Sequence, residues 1–238
     1  HMGSTLNNVW SFGASVLRGL RGLKVTPHNR REPPRPEVTL ELYDFEACPF
    51  CRKVREVLSE LDLNYIEHTC GRGAEKKRSE VEQRGGQRQF PFLVDPNTGR
   101  ELYESEEIIN YLRETYGEGR SGMSRVLSPV NTATAGLASA VRPRGGRVRA
   151  GLEGRNQPAD YLILYSFENS PYCRKVRERL CELNLDYEVR NVAKKSSRRP
   201  ELVERGGTMM VPYLADPNTG KELYESDDIV DYLEETYG

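Results

Sequence analysis

The sequence predicts an α/β fold present twice in tandem, and three observations carry that prediction. A long segment repeats almost verbatim, each copy spells out the same order of strands and helices, and a Cys-x-x-Cys stands at the first strand-to-helix junction. Asp95-Pro96-Asn97-Thr98-Gly99 through Glu104-Ser105 recurs as Asp216-Pro217-Asn218-Thr219-Gly220 through Glu225-Ser226, with Arg100 becoming Lys221. Upstream, Cys51-Arg52-Lys53-Val54-Arg55-Glu56 returns as Cys173-Arg174-Lys175-Val176-Arg177-Glu178. Chance does not supply such agreement. The chain therefore divides into an N-terminal segment (1–38, opening with an expression scar at His1-Met2-Gly3-Ser4), a first copy (39–117), a connector (118–160) and a second copy (161–238).

Within a copy the periodicities predict β-α-β-α-β-β-α. Leu40, Leu42 and Tyr43 form a short strand; Pro49 opens a helix whose apolar positions Val54, Val57, Leu58 and Leu61 recur at helical spacing. Tyr65-Ile66 starts a second strand, and a polar helix from Glu75 to Gln83 stops at Gly85-Gly86. Phe90 to Val94 is expected as a third strand, turned by Pro96-Asn97-Thr98-Gly99 into a fourth at Glu101–Tyr103. Ser105 is expected to cap a last helix that buries Ile108, Ile109 and Leu112. The first crossover implies parallel strands and the later hairpin antiparallel ones, so each copy is a four-stranded mixed sheet with flanking helices.

Composition narrows function. The formal charge of the 238-residue chain is -1, which gives no global field for nucleic acid or a membrane surface. Both copies are acidic and both flanking segments basic, which suits docking of one on the other. No apolar run is long enough to span a membrane. Val9, Phe12, Val16, Leu20 and Leu23 form an apolar stripe, and Val130, Ala133, Leu137 and Val141 a weaker one. We read both as helices packed on their own protein, the alternative for 9–23 being contact with a membrane surface. Residues 142–158, rich in Arg, Gly and Pro, read as a flexible linker. Five cysteines form no disulfide framework in a chain of this size; they fit a reducing compartment, cytoplasm or plastid stroma, in which one close pair reacts.

That pair is Cys48 and Cys51. At a helix N-terminus the free backbone N–H groups and the macrodipole favour a thiolate, so Cys48 is the expected nucleophile and Cys51, one turn on, the resolving thiol. The rival is half of a zinc site completed by His68 and Cys70; with no second Cys-x-x-Cys, redox chemistry is the better reading and no metal is expected. Cys70 then is a bystander, Val192 standing at its position in the second copy, and Cys181 is a small core residue.

With Cys48-Pro49-Phe50-Cys51, the Pro91 strand and Glu104-Ser105 in place, each copy resembles glutaredoxins and the N-terminal domain of glutathione transferases, which share the thioredoxin fold. The tandem arrangement is similar to two-domain plastid and bacterial proteins. The resemblance implies glutathione as co-substrate. Pro91 matches a cis-proline opposite the reactive cysteine, which leaves the Phe90 backbone free to pair with the tripeptide. Glu104 and Ser105 match a pair that grips its γ-glutamyl end. One departure stands out: many glutaredoxins carry a lysine shortly before the first cysteine, where this chain has Glu46. That acid is expected to push the Cys48 pKa upward and repel the tripeptide unless Arg52 and Lys53 compensate.

The second copy reads Ser170-Pro171-Tyr172-Cys173, so the nucleophile is replaced while Val211-Pro212 and Glu225-Ser226 keep the binding frame. We expect it to bind without catalysing. The functional expectation is glutathione-linked thiol–disulfide exchange on disulfide substrates through Cys48 and Cys51. The alternatives are a transferase-like enzyme using Cys48 or Ser170, and a non-catalytic glutathione-binding or scaffold module.

Overall fold

The computed structural model describes residues 22–26, 34–118 and 145–238. The apolar stripes expected around 9–21 and 130–141 lie outside the described residues. In the first copy the elements are β1 (Leu40–Asp44), α1 (Pro49–Glu60), β2 (Tyr65–Thr69), α2 (Glu75–Gly85), β3 (Phe92–Asp95), β4 (Arg100–Leu102) and α3 (Ser105–Tyr116). The second copy repeats them as β5 (Leu162–Ser166), α4 (Pro171–Glu182), β6 (Tyr187–Asn191), α5 (Arg199–Gly206), β7 (Tyr213–Asp216), β8 (Lys221–Tyr224) and α6 (Ser226–Tyr237). The element order is the one the sequence predicts. β3 starts at Phe92 rather than Phe90, since Pro91 has no N–H to give to a ladder.

The two sheets are not separate. Their strands run β4-β3-β1-β2-β6-β5-β7-β8 in a single eight-stranded sheet, joined where β2 and β6 pair antiparallel with Tyr65 opposite Val189 and Glu67 opposite Tyr187. Inside each copy, β1 and β2 (or β5 and β6) are parallel and the β3–β4 hairpin is antiparallel. Side-chain alternation sorts the core. Leu40 and Leu42 point to one face, where they meet Val54, Val57 and Leu58 of α1 and Ile108 and Leu112 of α3. Their second-copy counterparts Leu162, Leu164, Val176, Leu180, Ile229 and Leu233 belong to the same cluster, so one apolar layer runs under α1, α3, α4 and α6 without a break. On the opposite face the copies stay apart. Tyr43, Phe92 and Val94 pack with Val81 of α2, and Tyr165, Tyr213 and Ala215 with Leu202 of α5.

The repeated Asp-Pro-Asn-Thr-Gly has a structural cause. Asp95 accepts from Tyr111 and Tyr116 at 2.6 Å each and from the Asn97 backbone at 2.8 Å, tying the β3–β4 turn to α3. Asp216 does the same with Tyr232, Tyr237 and Asn218. Both carboxyls are held below their ordinary range; burial opposes this, and the phenol and amide donors outweigh it. Asn97 also holds Val38 by paired 2.8 Å hydrogen bonds, fixing the entry into β1.

Residues 145–158, expected as a flexible linker, are held in place. Arg149 forks onto Glu234 of α6, Arg155 donates to the Leu183 carbonyl, and Gln157 donates to that of Asn184. The segment before each copy crosses to the other one: Val25 donates to the Lys194 carbonyl and Val148 to that of Arg72, both at 2.9 Å. Backbone hydrogen bonds to the opposite copy are what the linker reading lacked.

Polar groups stitch the β2–β6 seam as well. Ser59 pairs with Asn191 at 2.9 Å, and His68 lies between Asp186 of the second copy (2.9 Å) and Glu41 of the first (3.2 Å) while stacking on Tyr43. Burial disfavours a charged imidazole, but the hydrogen bonds to Asp186 and Glu41 outweigh it and raise its pKa to about 9. Because the folded value lies above the ordinary 6.5, this contribution is whole below about pH 6.5 and lost as pH rises through about 9. Tm should fall across that window in the native chain. His68→Gln should be less stable at pH 6 and show a flatter profile; an unchanged slope in the variant would assign the titration to another group.

Candidate active site

Cys48 is the N-cap of α1. Pro49 occupies the first turn, as its fixed φ and missing N–H favour, and no acidic residue stands in that turn. The Cys48 sulfur accepts the Cys51 backbone N–H at 3.3 Å. Hydrogen bonding from Cys51, side chain and backbone together, holds the Cys48 thiol below its ordinary pKa, against burial and the nearby Asp44 carboxylate. Cys51 goes the other way: burial and its hydrogen bond to Cys48 push it well above the usual thiol range. A pair so divided has one member ready to attack and one that waits as a protonated thiol. Cys48 is 4% exposed, while the neighbouring Phe50 is 46% exposed and stands at the surface beside it.

The Phe90–Pro91 bond is cis, and Phe90 contacts Phe45 of the Cys48 loop edge-on at 6.3 Å. Arg78 lies over that ring, 4.7 Å from its centre. Ser105 does not cap α3 as expected. Glu104 is the N-cap, with φ 61° and ψ 117° and no side-chain cap bond, and Ser105 is the first helical residue, buried. This left-handed turn leaves the first N–H groups of α3 without a side-chain cap. The Glu104 carboxylate is hydrogen-bonded by Gln89. Lys53 of α1 pairs with Glu106 in the first turn of α3, locking the two helix starts together.

Glu46 behaves differently from expectation. Its side chain turns inward, 1% exposed, onto Arg177 (3.1 Å), Arg55 (3.2 Å) and Arg174 (3.3 Å). Burial raises its pKa, but these three guanidiniums outweigh that and hold it far below the carboxylate range. A carboxylate enclosed in this way does not face a ligand, and the acid pressing on Cys48 is Asp44. Arg52 and Lys53 do not compensate for it, being paired with Glu56 (3.1 Å) and Glu106. The sequence signal for this is present in the paired Arg-Lys-Val-Arg-Glu runs, but the crossed partners, Glu168 for Arg55 and Glu46 for Arg177, lie more than a hundred residues away.

The second copy keeps the architecture without the thiol. Ser170 caps α4, its hydroxyl accepting the Cys173 N–H at 3.3 Å as the Cys48 sulfur accepts Cys51, so serine preserves the helix start. The Val211–Pro212 bond is cis, Glu225 repeats the left-handed cap at φ 67°, and Ser226 is buried at the start of α6. Cys173 is buried and its thiol raised by burial. Cys70 is raised well above the usual thiol range by burial, and Cys181, which donates to the Gly145 carbonyl at 3.0 Å, is pushed up to about 12 by the same cause. The proposed zinc partners do not converge: His68 is engaged by two carboxylates, and among the described residues no group of three His, Cys, Asp or Glu side chains is placed to hold a metal ion.

Sheet order, the capped thiol in one copy and the matching frame in the other define a protein of two tandem thioredoxin-like domains. The comparisons give the family. The chain belongs to the glutathione S-transferase N-terminal domain family, matched twice, over residues 42–120 and 164–238. No curated protein matches it. Similar solved structures include the silkworm (Bombyx mori) glutathione transferase BmGSTD1, 26% identical over 36% of this chain and 39% of that one, TM-score 0.31. The matched part thus spans well under two thirds of that enzyme. The silkworm enzyme in complex with GTT is 16% identical over 84% of this chain and 100% of that one, TM-score 0.34. Leishmania TDR1, described as a unique trimeric glutathione transferase, is 16% identical over 84% of this chain and 67% of that one, TM-score 0.31.

The thiol environments predict an order of reaction. With a small alkylating agent or oxidised glutathione on the native chain at pH 7, peptide mass spectrometry should find Cys48 modified first, with Cys51, Cys70, Cys173 and Cys181 protected until unfolding. Modification of Cys173 ahead of Cys48 would contradict this assignment.

Proposed function

We propose that the first copy is a glutathione-linked thiol–disulfide oxidoreductase. The observation that supports it best is the unequal thiol pair: Cys48 acidified at a helix N-cap, Cys51 held protonated behind it. The Cys48 thiolate attacks one sulfur of a substrate disulfide, forming a mixed disulfide and expelling the other half as a thiolate. Either Cys51 then gives up its proton and attacks the Cys48 sulfur, or glutathione does so, releasing the substrate as a thiol. In the glutathione branch a second glutathione attacks the glutathionyl sulfur left on Cys48 and frees the thiolate. In the Cys51 branch one glutathione opens the Cys48–Cys51 disulfide to a mixed disulfide at Cys48, freeing Cys51, and a second removes it. On either path two glutathiones leave as their disulfide. The Phe90 backbone beside cis-Pro91 and the uncapped start of α3 at Glu104-Ser105 are where the tripeptide binds, its backbone at the first and its α-carboxylate at the second. The reaction needs a supply of reduced glutathione, which fits a reducing compartment such as cytoplasm or stroma.

A second reading, transferase-like activity, draws on the family and on Ser170, whose hydroxyl sits where Cys48 sits and is able to donate to a bound glutathione thiolate. A coupled assay separates the two. With glutathione and a small disulfide, the native chain should turn over, Cys48→Ser should fall to background, and Cys51→Ser should retain a glutathione-resolved path while losing the dithiol one. Activity surviving Cys48→Ser would refute the mechanism. Inactivity of the native chain with glutathione bound would make it a binding module, and conjugation abolished by Ser170→Ala would favour the transferase.

A further inference from the structure

The loop that carries Cys48 is held largely from outside its own copy. Glu46, two residues before the thiol, has its carboxylate within reach of Arg55 on α1 of its own copy, but also of Arg177 through Nε (3.1 Å) and Nη2 (3.3 Å) and of Arg174 (3.3 Å), both on α4 of the second copy. Ala47 donates its N–H to the Gly145 carbonyl of the connector at 3.3 Å. Gly145 has φ +71°, and a Cβ there would stand 2.8 Å from Glu46 Cβ, so the connector backbone lies directly on the loop. The same cluster reaches the other acid beside Cys48. Arg55 bonds Asp44 at 2.6 Å and Glu168 of the second copy at 3.0 Å, and Arg177 also contacts Glu168 at 3.0 Å. Arg55 and Arg177 are thus shared among Asp44, Glu46 and Glu168, with Arg174 and Arg52 buried beside them and Glu67 of β2 next to Asp44.

The arrangement is close to symmetric about the seam, since Glu168 precedes Ser170 as Glu46 precedes Cys48. Only one side of it serves a thiol. We propose that the second copy is a positioning element for Cys48: Arg177 and Arg174 hold Glu46, which leaves Arg55 to neutralise Asp44 and keeps the first-copy thiol reactive. Resting on the reading of Cys48 as the nucleophile, this gives the copy that lost its own thiol a task in the reaction, and it explains why the Arg-Lys-Val-Arg-Glu run facing the seam stayed unchanged there.

The charges make a prediction of opposite signs. Cys48 itself faces Cys51 and Asp44. Beside Asp44 stand Arg55 and, from β2, the buried Glu67, whose carboxyl is pushed well above the carboxylate range by burial and by Asp44; beyond Arg55 stand Glu46, Glu168 and Arg177. Removing Arg177 leaves Glu46 and Glu168 to compete for Arg55, frees the Asp44 charge to act on Cys48 and makes the thiol less acidic. Removing the Glu46 charge instead returns Arg55 to Asp44 with cation to spare and makes it more acidic. The test is the pH dependence of Cys48 alkylation by iodoacetamide in the full-length chain, read by peptide mass spectrometry. Arg177→Gln should move the midpoint up and slow alkylation below it about tenfold, as about one pKa unit requires. Glu46→Gln should move the midpoint down, and the double variant should lie near the native value. Both single variants shifting the same way, or neither shifting, would overturn the proposal. If Arg177→Gln does not fold, the sign of the Glu46→Gln shift decides alone. Alkylation uses neither glutathione nor a disulfide, so a chain without oxidoreductase activity still answers the question.

Discussion

The constraint on which the structure depends is the crossed pairing of Arg55 and Arg177 with Glu46 and Glu168 between the two copies. All four side chains are buried. Taking such ions out of water costs several kcal/mol each, and the attraction between them repays that only when every charge is matched. The cluster is therefore a poor source of net stability and a strong source of register. Sliding one copy along the other by a residue strands a carboxylate or a guanidinium in the interior. The driving force for joining the copies lies in the apolar layer beneath, where Leu162, Leu164 and Leu180 continue the surface begun by Leu40, Leu42 and Leu58, each fully buried leucine contributing roughly 1.5–3 kcal/mol.

Edge-to-edge joining also settles a liability of the fold. A lone copy would leave β2 as an open edge with Tyr65 and Glu67 on it; in the joined chain β2 and β6 cover one another and the sheet ends instead on the short strands β4 and β8. The crossed segments at 22–26 and 145–149 reinforce the same seam by pairing with the opposite copy. The result is a molecule whose two halves differ at the first position of the motif, Cys48 against Ser170, and not in architecture. Ser170 caps its helix as Cys48 does, and the cis-prolines, left-handed Glu caps and Asp-centred turns persist in both.

What the sequence disclosed and what it hid divide along sequence distance. The element order, Cys48 at a helix start, the proline before β3 and the retained frame of the second copy were all legible, because each depends on residues within a few positions of one another. The central cluster was not. Arg52, Arg55 and Glu56 on one helix look like a solvated face with an i,i+4 pair, and only the fold shows Glu168 opposite them. Glu46 is hidden for the same reason: judged by its nearness to Cys48 it is a hostile acid, whereas three guanidiniums, two of them from the other copy, enclose it. Ser105 looked like a cap because serine before an apolar run usually is one, but the left-handed turn at Glu104 moved the helix start by one residue. The 145–158 stretch showed the composition of a linker and no sign of the Glu234, Leu183 and Asn184 groups that fix it.

The two copies share one sheet and one apolar layer and so are one cooperative unit, to which the proposed chemistry gives a single working thiol. Native-state hydrogen exchange on the intact chain tests the first half of that statement most directly. Amides in β1 and β5, on either side of the seam, should share one opening free energy and the same denaturant dependence, because the apolar layer and the charge cluster open together. A first-copy core that exchanges through its own lower-energy opening while the second copy stays protected would contradict it.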